Sequence, residues 1–353
     1  MNNKYYELYK NYKTDFSISE VEPILNFTNY NSLEYLDNNL INKDVLNKLA
    51  IVKLNGGLGT TMKCSKAKGC LEVVDNKTFL DIFINQVIFV NKKFSSNVPI
   101  VLMNSEYTET DTQIILDKYK EQVDIYCFNQ EFLYRYYEEE LENDIIRLHE
   151  TRYPPGTGNF YESLYNSTVY SLLKDRGIEY LFISNIDNLY ARFDNKIYNY
   201  VYENKIPFLM EVCKRTETDK KGGTPVLWKD KYHLLELAQV NSVDYDDFTN
   251  ISKFSYFNTN NFWIRLDDPF WASTNADEKK NNFDLYIISN KKTINNEKLV
   301  QLESVIGSAY STIYNSKIIE INRDRFFPVK TLDDYNNIKQ NFLLDEGYNL
   351  QKK

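Results

Sequence analysis

Short apolar runs separated by stretches of helical spacing constrain this chain more than any other feature. The run Leu49-Ala-Ile-Val-Lys-Leu54 is followed by others at 98–103, 123–128, 178–183, 206–212, 262–266, 285–288 and 318–321. Each has the length of a buried strand, while the patterns at 79–91, 109–120, 161–174 and 299–314 predict helices. Strands buried on both faces and alternating with helices predict a mostly parallel sheet covered on either side, an α/β fold. Segment 132–150, with Glu138-Glu139-Glu140, reads as a charged surface helix. Residues 1–48 read as a polar N-terminal helical segment, 49–330 as the main domain, and 331–353 as one terminal helix and tail.

Composition removes several function classes. The chain has 42 Lys+Arg against 50 Asp+Glu, a net charge of −8. A general binder of nucleic-acid backbone needs a basic surface instead. The cysteines Cys64, Cys70, Cys127 and Cys213 form no C-x-x-C pair. They read as reduced thiols of a cytoplasmic protein. The start, MNNKYYELYK, has no apolar signal core, and no stretch has the length and apolarity of a membrane span. With two histidines, His149 and His233, neither a His-rich zinc site nor a Ser-His-Asp triad is expected.

Glycine is scarce, 11 in all, yet a cluster of it follows the first strand in Leu54-Asn55-Gly56-Gly57-Leu58-Gly59-Thr60. A glycine-rich turn at the carboxyl end of a sheet strand lies where open α/β sheets bind ligands. It lets backbone N–H groups approach phosphate oxygens or a base edge. The spacing is neither G-x-x-x-x-G-K-[ST] nor G-x-G-x-x-G, since Met62 stands at the third glycine of the latter. Lys63, Lys66 and Lys68 follow within ten residues. The alternative to phosphate binding is a structural turn with a solvated lysine loop; together the two features favour phosphate.

Three further segments carry polar chemistry. Ser184-Asn185-Ile186-Asp187-Asn188 ends a buried strand, and Asp187 suits Mg2+, which takes one or two carboxylates and completes its shell with water and substrate phosphates. The alternative is a turn or helix cap. Arg323, Arg325 and Lys330 precede the terminal helix, where the plain reading is a basic surface turn. Tyr153-Pro154-Pro155-Gly156-Thr157-Gly158-Asn159 is a rigid loop before a helix.

In this order these segments resemble the UTP–glucose-1-phosphate uridylyltransferases, the UDP-glucose pyrophosphorylases of eukaryotic type. The family signature is close to L-N-G-G-L-G-T-[ST]-M-G-C-x-G-P-K-S, and this chain reads LNGGLGTTMKCSKAKGC from Leu54. Further matches are VLMNS at 101–105, FNQ at 128–130, YPPGTGN at 153–159, FISNIDNL at 182–189, KGGT at 221–224, ELAQV at 236–240, FNTNN at 257–261, VQLES at 300–304 and RFFPVKT at 325–331. The likeness covers about residues 50–335. It implies a nucleotide-diphospho-sugar transferase fold, a Rossmann-like, GT-A-like mixed sheet, with 49–330 as the catalytic domain. The family's usual C-terminal β-helix is expected to be absent here, leaving a monomer or weak dimer.

By the resemblance, Leu54, Asn55, Gly56, Gly57, Gln130 and Gly156 face the nucleotide. Thr157, Asn185, Gly223, Glu236, Asn258 and Asn260 line the sugar-phosphate and hexose site. Lys68, Lys330 and Asp187 act on the reacting phosphates, and Asp187 holds Mg2+. The family's His in its P-P-G-H-G-D loop is Thr157 here and its Asp is Asn159; Lys66-Ala67 replaces Gly-Pro, and Lys63 replaces a glycine.

The implied reaction joins UTP and glucose 1-phosphate to give UDP-glucose and pyrophosphate, reversibly, without nucleic-acid or membrane partners. The attacking phosphate oxygen is already ionised at pH 7, so positioning and charge neutralisation replace a general base. Alternatives are a uridylyltransferase for galactose 1-phosphate or an N-acetylhexosamine phosphate, or a catalytically impaired sugar-nucleotide-binding protein.

Overall fold

The computed structural model describes residues 2–11, 16–33, 42–58, 66–267, 269–271 and 285–353. Its centre is an eight-stranded sheet, whose strands are numbered here in chain order. They are β1 (Thr28–Asn29), β2 (Leu49–Leu54), β3 (Ile100–Asn104), β4 (Ile125–Asn129), β5 (Tyr180–Asn185), β6 (Phe208–Lys214), β7 (Tyr256–Arg265) and β8 (Lys317–Glu320). The spatial order is β1-β8-β6-β7-β5-β2-β3-β4. Only β7 runs antiparallel to its neighbours. The predicted α/β class and mostly parallel sheet are what the chain forms.

Alternation along each strand feeds two cores. Leu49 and Ile51 of β2 pack on one side with Ile100, Leu102, Tyr180 and Phe182. Ala50, Val52 and Leu54 face the other side with Val101, Met103, Leu181 and Ile183. Helix Phe79–Phe94 covers the first face, and Asn159–Asn166 with Thr168–Asp175 covers the second. The first helix starts where Thr78 and Asp81 cap each other reciprocally and ends at Ser95 in the left-handed conformation, so local chemistry sets both its ends.

Register then aligns the carboxyl ends. Leu54 pairs with Asn185 on one side and with Met103 on the other, and Asn104 pairs with Asn129. The residues that follow each strand therefore emerge along one edge of the sheet.

Several expectations change. Within 1–48 only Asn2–Asn11 and Lys43–Leu46 are α-helical among the described residues; Thr28–Asn29 joins the central sheet and Val21–Pro23 pairs with Thr224–Trp228. Segment 132–150 is no single helix: Leu133–Tyr137 and Leu148–Tyr153 are strands around the short helix Glu138–Glu142. Its aromatic residues fit a pleated surface, with Leu133 and Tyr136 buried. Residues 299–314 likewise form strand Glu297–Ser304 and a 3-10 turn, Ile306–Ser311. The four-stranded sheet of order Ile287–Ile294, Glu297–Ser304, Leu133–Tyr137, Leu148–Tyr153 results. Segment 161–174 divides at Ser167, which is extended and accepts from Val169 N–H. Beyond helix Leu332–Asn341 the tail closes a hairpin of Phe342–Leu344 and Leu350–Lys352.

Candidate active site

A cleft of about 380 Å3 opens at the carboxyl edge of β2, β3 and β5. Leu54, Gly56, Gly57, Lys68, Gln130, Gly156, Thr157, Asn185 and Asp187 all line it. They come from segments far apart in the chain, brought together by the parallel register.

The glycine turn forms one wall. Gly56 lies against the Gln130 carboxamide so closely that a Cβ would overlap Nε2. Glycine is required there for close approach. Gly57 O accepts from Lys68 N–H at 3.0 Å, and Leu58 bridges to Ala67. These contacts return the chain to the cleft after the glycines and set Lys68 beside them. Residues 59–65, including Gly59 and Lys63, lie outside the described residues. Lys66 is exposed. Asn55 differs from its neighbours, because its fully buried side chain donates to Asn104 Oδ1 at 2.8 Å and to Thr112 Oγ1 at 2.9 Å. That side chain braces the turn from below.

The opposite wall belongs to the turn after β5. Asp187 Oδ2 accepts from Lys68 Nζ at 2.6 Å, with both side chains largely shielded. Its other oxygen, Oδ1, is buried and has no hydrogen-bond partner among the described residues. Ile186 N–H donates to Leu54 O at 3.2 Å, which couples the two turns directly. Asn185 Oδ1 accepts from Asn260 Nδ2 at 2.7 Å. Asn260 reaches it because β7 bulges opposite Glu211 and Val212, leaving Asn260 at φ +61°.

Pro154, Gly156 and Thr157 make the third side. Gly156 has φ +85°, and a Cβ there would overlap Ser304 O. The loop is pinned to the four-stranded sheet through Ser304 N–H to Pro155 O and Gly158 N–H to Ser304 O, both 2.9 Å. Thr157 Oγ1 accepts from Ile306 N–H at 3.2 Å.

Beside the cleft, Gly223 and Asn258 join in a backbone hydrogen bond of 2.8 Å, and Glu236 lies against Gly223. Asn258 Oδ1 accepts from Asn260 N–H, so this group connects through Asn260 to Asn185. Desolvation pushes Glu236 up to about 7, against the opposing charges of Arg215 and Lys330. Lys330 itself is exposed. Its segment is tied to the site through Val329 N–H and Asp187 O at 3.1 Å.

Residues that motif reading passed over complete the arrangement. Gln301 and Glu303 line the cleft from the strand expected to be helical; burial raises the Glu303 carboxyl. Arg325, read as part of a surface turn, is buried and makes two hydrogen bonds to Glu211, at 2.9 and 3.2 Å. Burial pulls its guanidinium down, but Glu211 and Asp194 outweigh that and keep it charged. Lys53 is fully buried beneath the Asp187 turn, where burial draws it down to about 7 against the pull of Asp187. A lone charge inside the apolar run 49–54 was its visible sign.

Neither histidine borders the cleft. His149 contacts Thr151 and Glu297, and burial lowers His233 to about 4, so its ring is neutral. Among the described residues no three His, Cys, Asp or Glu side chains converge as a metal cage. A single carboxylate with one oxygen to spare fits a hard cation that takes its remaining ligands from phosphates and water. No helix among the described residues is long and apolar enough to cross a membrane.

A family model described as UTP–glucose-1-phosphate uridylyltransferase matches residues 2–352. The chain is 41% identical over 311 residues to the UTP–glucose-1-phosphate uridylyltransferase of Encephalitozoon cuniculi, covering 88% of this chain and 61% of that one. It is 39% identical over 316 residues to the Musa acuminata protein of that name, covering 88% and 67%. The chain thus spans about three-fifths of the length of the first curated relatives it matches. Among solved structures, a single-residue mutant of the UDP-glucose pyrophosphorylase of Leishmania major, in complex with UDP-glucose, superposes with a TM-score of 0.84. That match has 30% identity over 99% of this chain and 77% of that one. A Trypanosoma brucei structure described as UDP-glucose phosphorylase gives a TM-score of 0.82 at 32% identity, over 98% and 76%.

Proposed function

The chain belongs to the UTP–glucose-1-phosphate uridylyltransferase family, and from that premise we propose that it transfers the uridylyl group of UTP to glucose 1-phosphate. The observation that carries this reading is the Lys68–Asp187 pair, 2.6 Å apart between the glycine turn and Asn185. A cation and a carboxylate with a free oxygen there suit polyphosphate and a divalent ion together.

In the reaction, an ionised phosphate oxygen of glucose 1-phosphate bonds to the α-phosphorus of UTP. The bond from that phosphorus to the bridging oxygen breaks, and its electron pair leaves with pyrophosphate. No proton need be removed from the nucleophile, which accords with a cleft bordered by neither histidine. Lys68 neutralises charge on the phosphates, and Lys330 approaches from the segment tied to Asp187 O. Asp187 would hold Mg2+, whose charge stabilises the phosphate oxygens in such transfers.

Gln130, packed on Gly56, offers one donor and one acceptor to a base edge and is the residue we assign to uracil choice. A buried edge-reading amide rejects the wrong base because its groups are then left unpaired. Thr157, Asn185, Gly223, Glu236, Asn258 and Asn260 form the sugar-phosphate side. The test is pyrophosphate release from UTP and Mg2+ with glucose, galactose and N-acetylglucosamine 1-phosphates, using ATP, GTP, CTP and dTTP as controls. Release with UTP and glucose 1-phosphate is expected; release with no pair, from folded protein, overturns the reading.

A further inference from the structure

Lys53 stands in β2 at a position whose pleat points into the core, on the face that carries Leu49 and Ile51. It is fully buried, and among the described residues its ammonium finds only neutral oxygens as hydrogen-bond partners. Nζ donates to Ser184 Oγ at 2.7 Å and Ala191 O at 2.8 Å, with longer contacts to Asn188 O at 3.3 Å and Asn185 O at 3.4 Å. The Phe83 ring lies 5.1 Å away beneath it. An ammonium buried without a hydrogen-bonded carboxylate is an unfavourable core residue, and an apolar side chain of similar length would pack there at lower cost.

The acceptors show what that cost secures. All belong to residues 184–191, the turn that carries Asn185 and Asp187. The two short bonds grip its two ends, Ser184 and Ala191. Lys53 itself immediately precedes Leu54, whose carbonyl accepts from Ile186 N–H. A single side chain therefore joins the strand that leads into the glycine turn to both ends of the carboxylate turn.

We propose that Lys53 is a positioning residue, which holds the 184–191 turn in register with the glycine turn so that Asp187 meets Lys68 and a phosphate-bound cation. The inference rests on the uridylyl-transfer reading of the same cleft. Lys53 contacts no ligand in this role; it acts through Asn185 and Asp187.

The test compares wild type with K53M, S184A and F83L. F83L removes the ring below the ammonium but none of its hydrogen bonds, and so reports on general core loosening. In K53M, half-activation by Mg2+ is expected to shift upward, and kcat to fall, by about 10- to 100-fold, the usual consequence of losing an outer partner of a ligand. UDP-glucose binding without Mg2+ is expected to stay within about 3-fold of wild type, and F83L is expected to keep wild-type kinetics. Wild-type kcat and Mg2+ requirement in folded K53M would overturn the proposal.

If K53M does not fold, S184A carries the test, with a smaller shift in the same direction. Equal Mg2+ requirements in S184A and F83L would then overturn it. Amide hydrogen exchange separates this inference from the reading beneath it, because it needs no turnover. Faster exchange confined to 184–191 in K53M or S184A, absent in F83L, supports the positioning role even if wild type releases no pyrophosphate; unchanged exchange there counts against it.

Discussion

Lys68 Nζ and Asp187 Oδ2 stand 2.6 Å apart across the cleft, although 119 residues separate them in the chain. Each is held from its own side, Lys68 by its N–H to Gly57 O and Asp187 by Val329 N–H to its carbonyl. The pair is therefore prearranged before any ligand enters. K68M is expected to lower kcat/KM by about 100- to 1000-fold, the range for removing one donor aimed at developing charge. Pyrophosphate release measures this, and a melting curve within a few degrees of wild type shows that the fold persists.

D187N keeps the shape of the carboxylate and removes its charge. With Oδ1 buried and without a partner among the described residues in the wild type, the substitution is expected to raise the Mg2+ concentration for half-activity by about 10-fold or more. A titration of rate against Mg2+ at saturating UTP reads the effect. An unchanged titration would remove Asp187 from the cation site.

Lys330 is exposed, and its ammonium lies 6.0 Å from the centre of the Phe326 ring. K330A should therefore leave stability within about 0.5 kcal/mol. Its turnover is nevertheless expected to drop by about 100-fold, for the same charge reason as at Lys68. Near-wild-type turnover would show that this lysine does not reach the phosphates.

Gly56 and Gln130 are packed without room for a Cβ. G56A is expected to raise KM for UTP, and the double variant G56A/Q130A to recover part of that rise by vacating the space. Q130A alone should narrow the preference for UTP over CTP by about 10- to 100-fold. Initial rates with each nucleotide measure both effects.

Glu236 gives a pH signature. Its folded value of about 7 lies above its ordinary 4.5, so the folded chain binds the proton more tightly than the unfolded one. That contribution to stability is complete below pH 4.5 and is lost as pH rises through 7. E236Q should match wild type near pH 4.5 and exceed it at about pH 8 by about 1–3 kcal/mol. Urea unfolding at the two pH values reads the difference, and a constant offset would contradict it.

Much was legible in the residues because its causes are local. The apolar runs at 49–54 and 178–183, each carrying a single charge, and the glycines directly after a strand declare themselves within a few positions. They determined the α/β class, the edge of the sheet that carries the cleft, and Lys68 and Asp187 as candidates. Where two structures satisfy one apolar spacing, local pattern does not choose. Residues 299–304 carry a helix-compatible pattern, yet Val300 pairs with Tyr136, a partner from a distant part of the chain.

Tertiary structure alone decided the rest. The Asn55 side chain is buried, with its amide nitrogen held by Asn104 and Thr112, and Asn260 reaches Asn185 only through a bulge in β7. Arg325 is a buried partner of Glu211 rather than a surface cation. Lys53 faces carbonyls that no neighbouring residue supplies. Burial and hydrogen-bond partnership are properties of the assembled chain, since the cost of an unpaired polar group arises only once water has been excluded from around it.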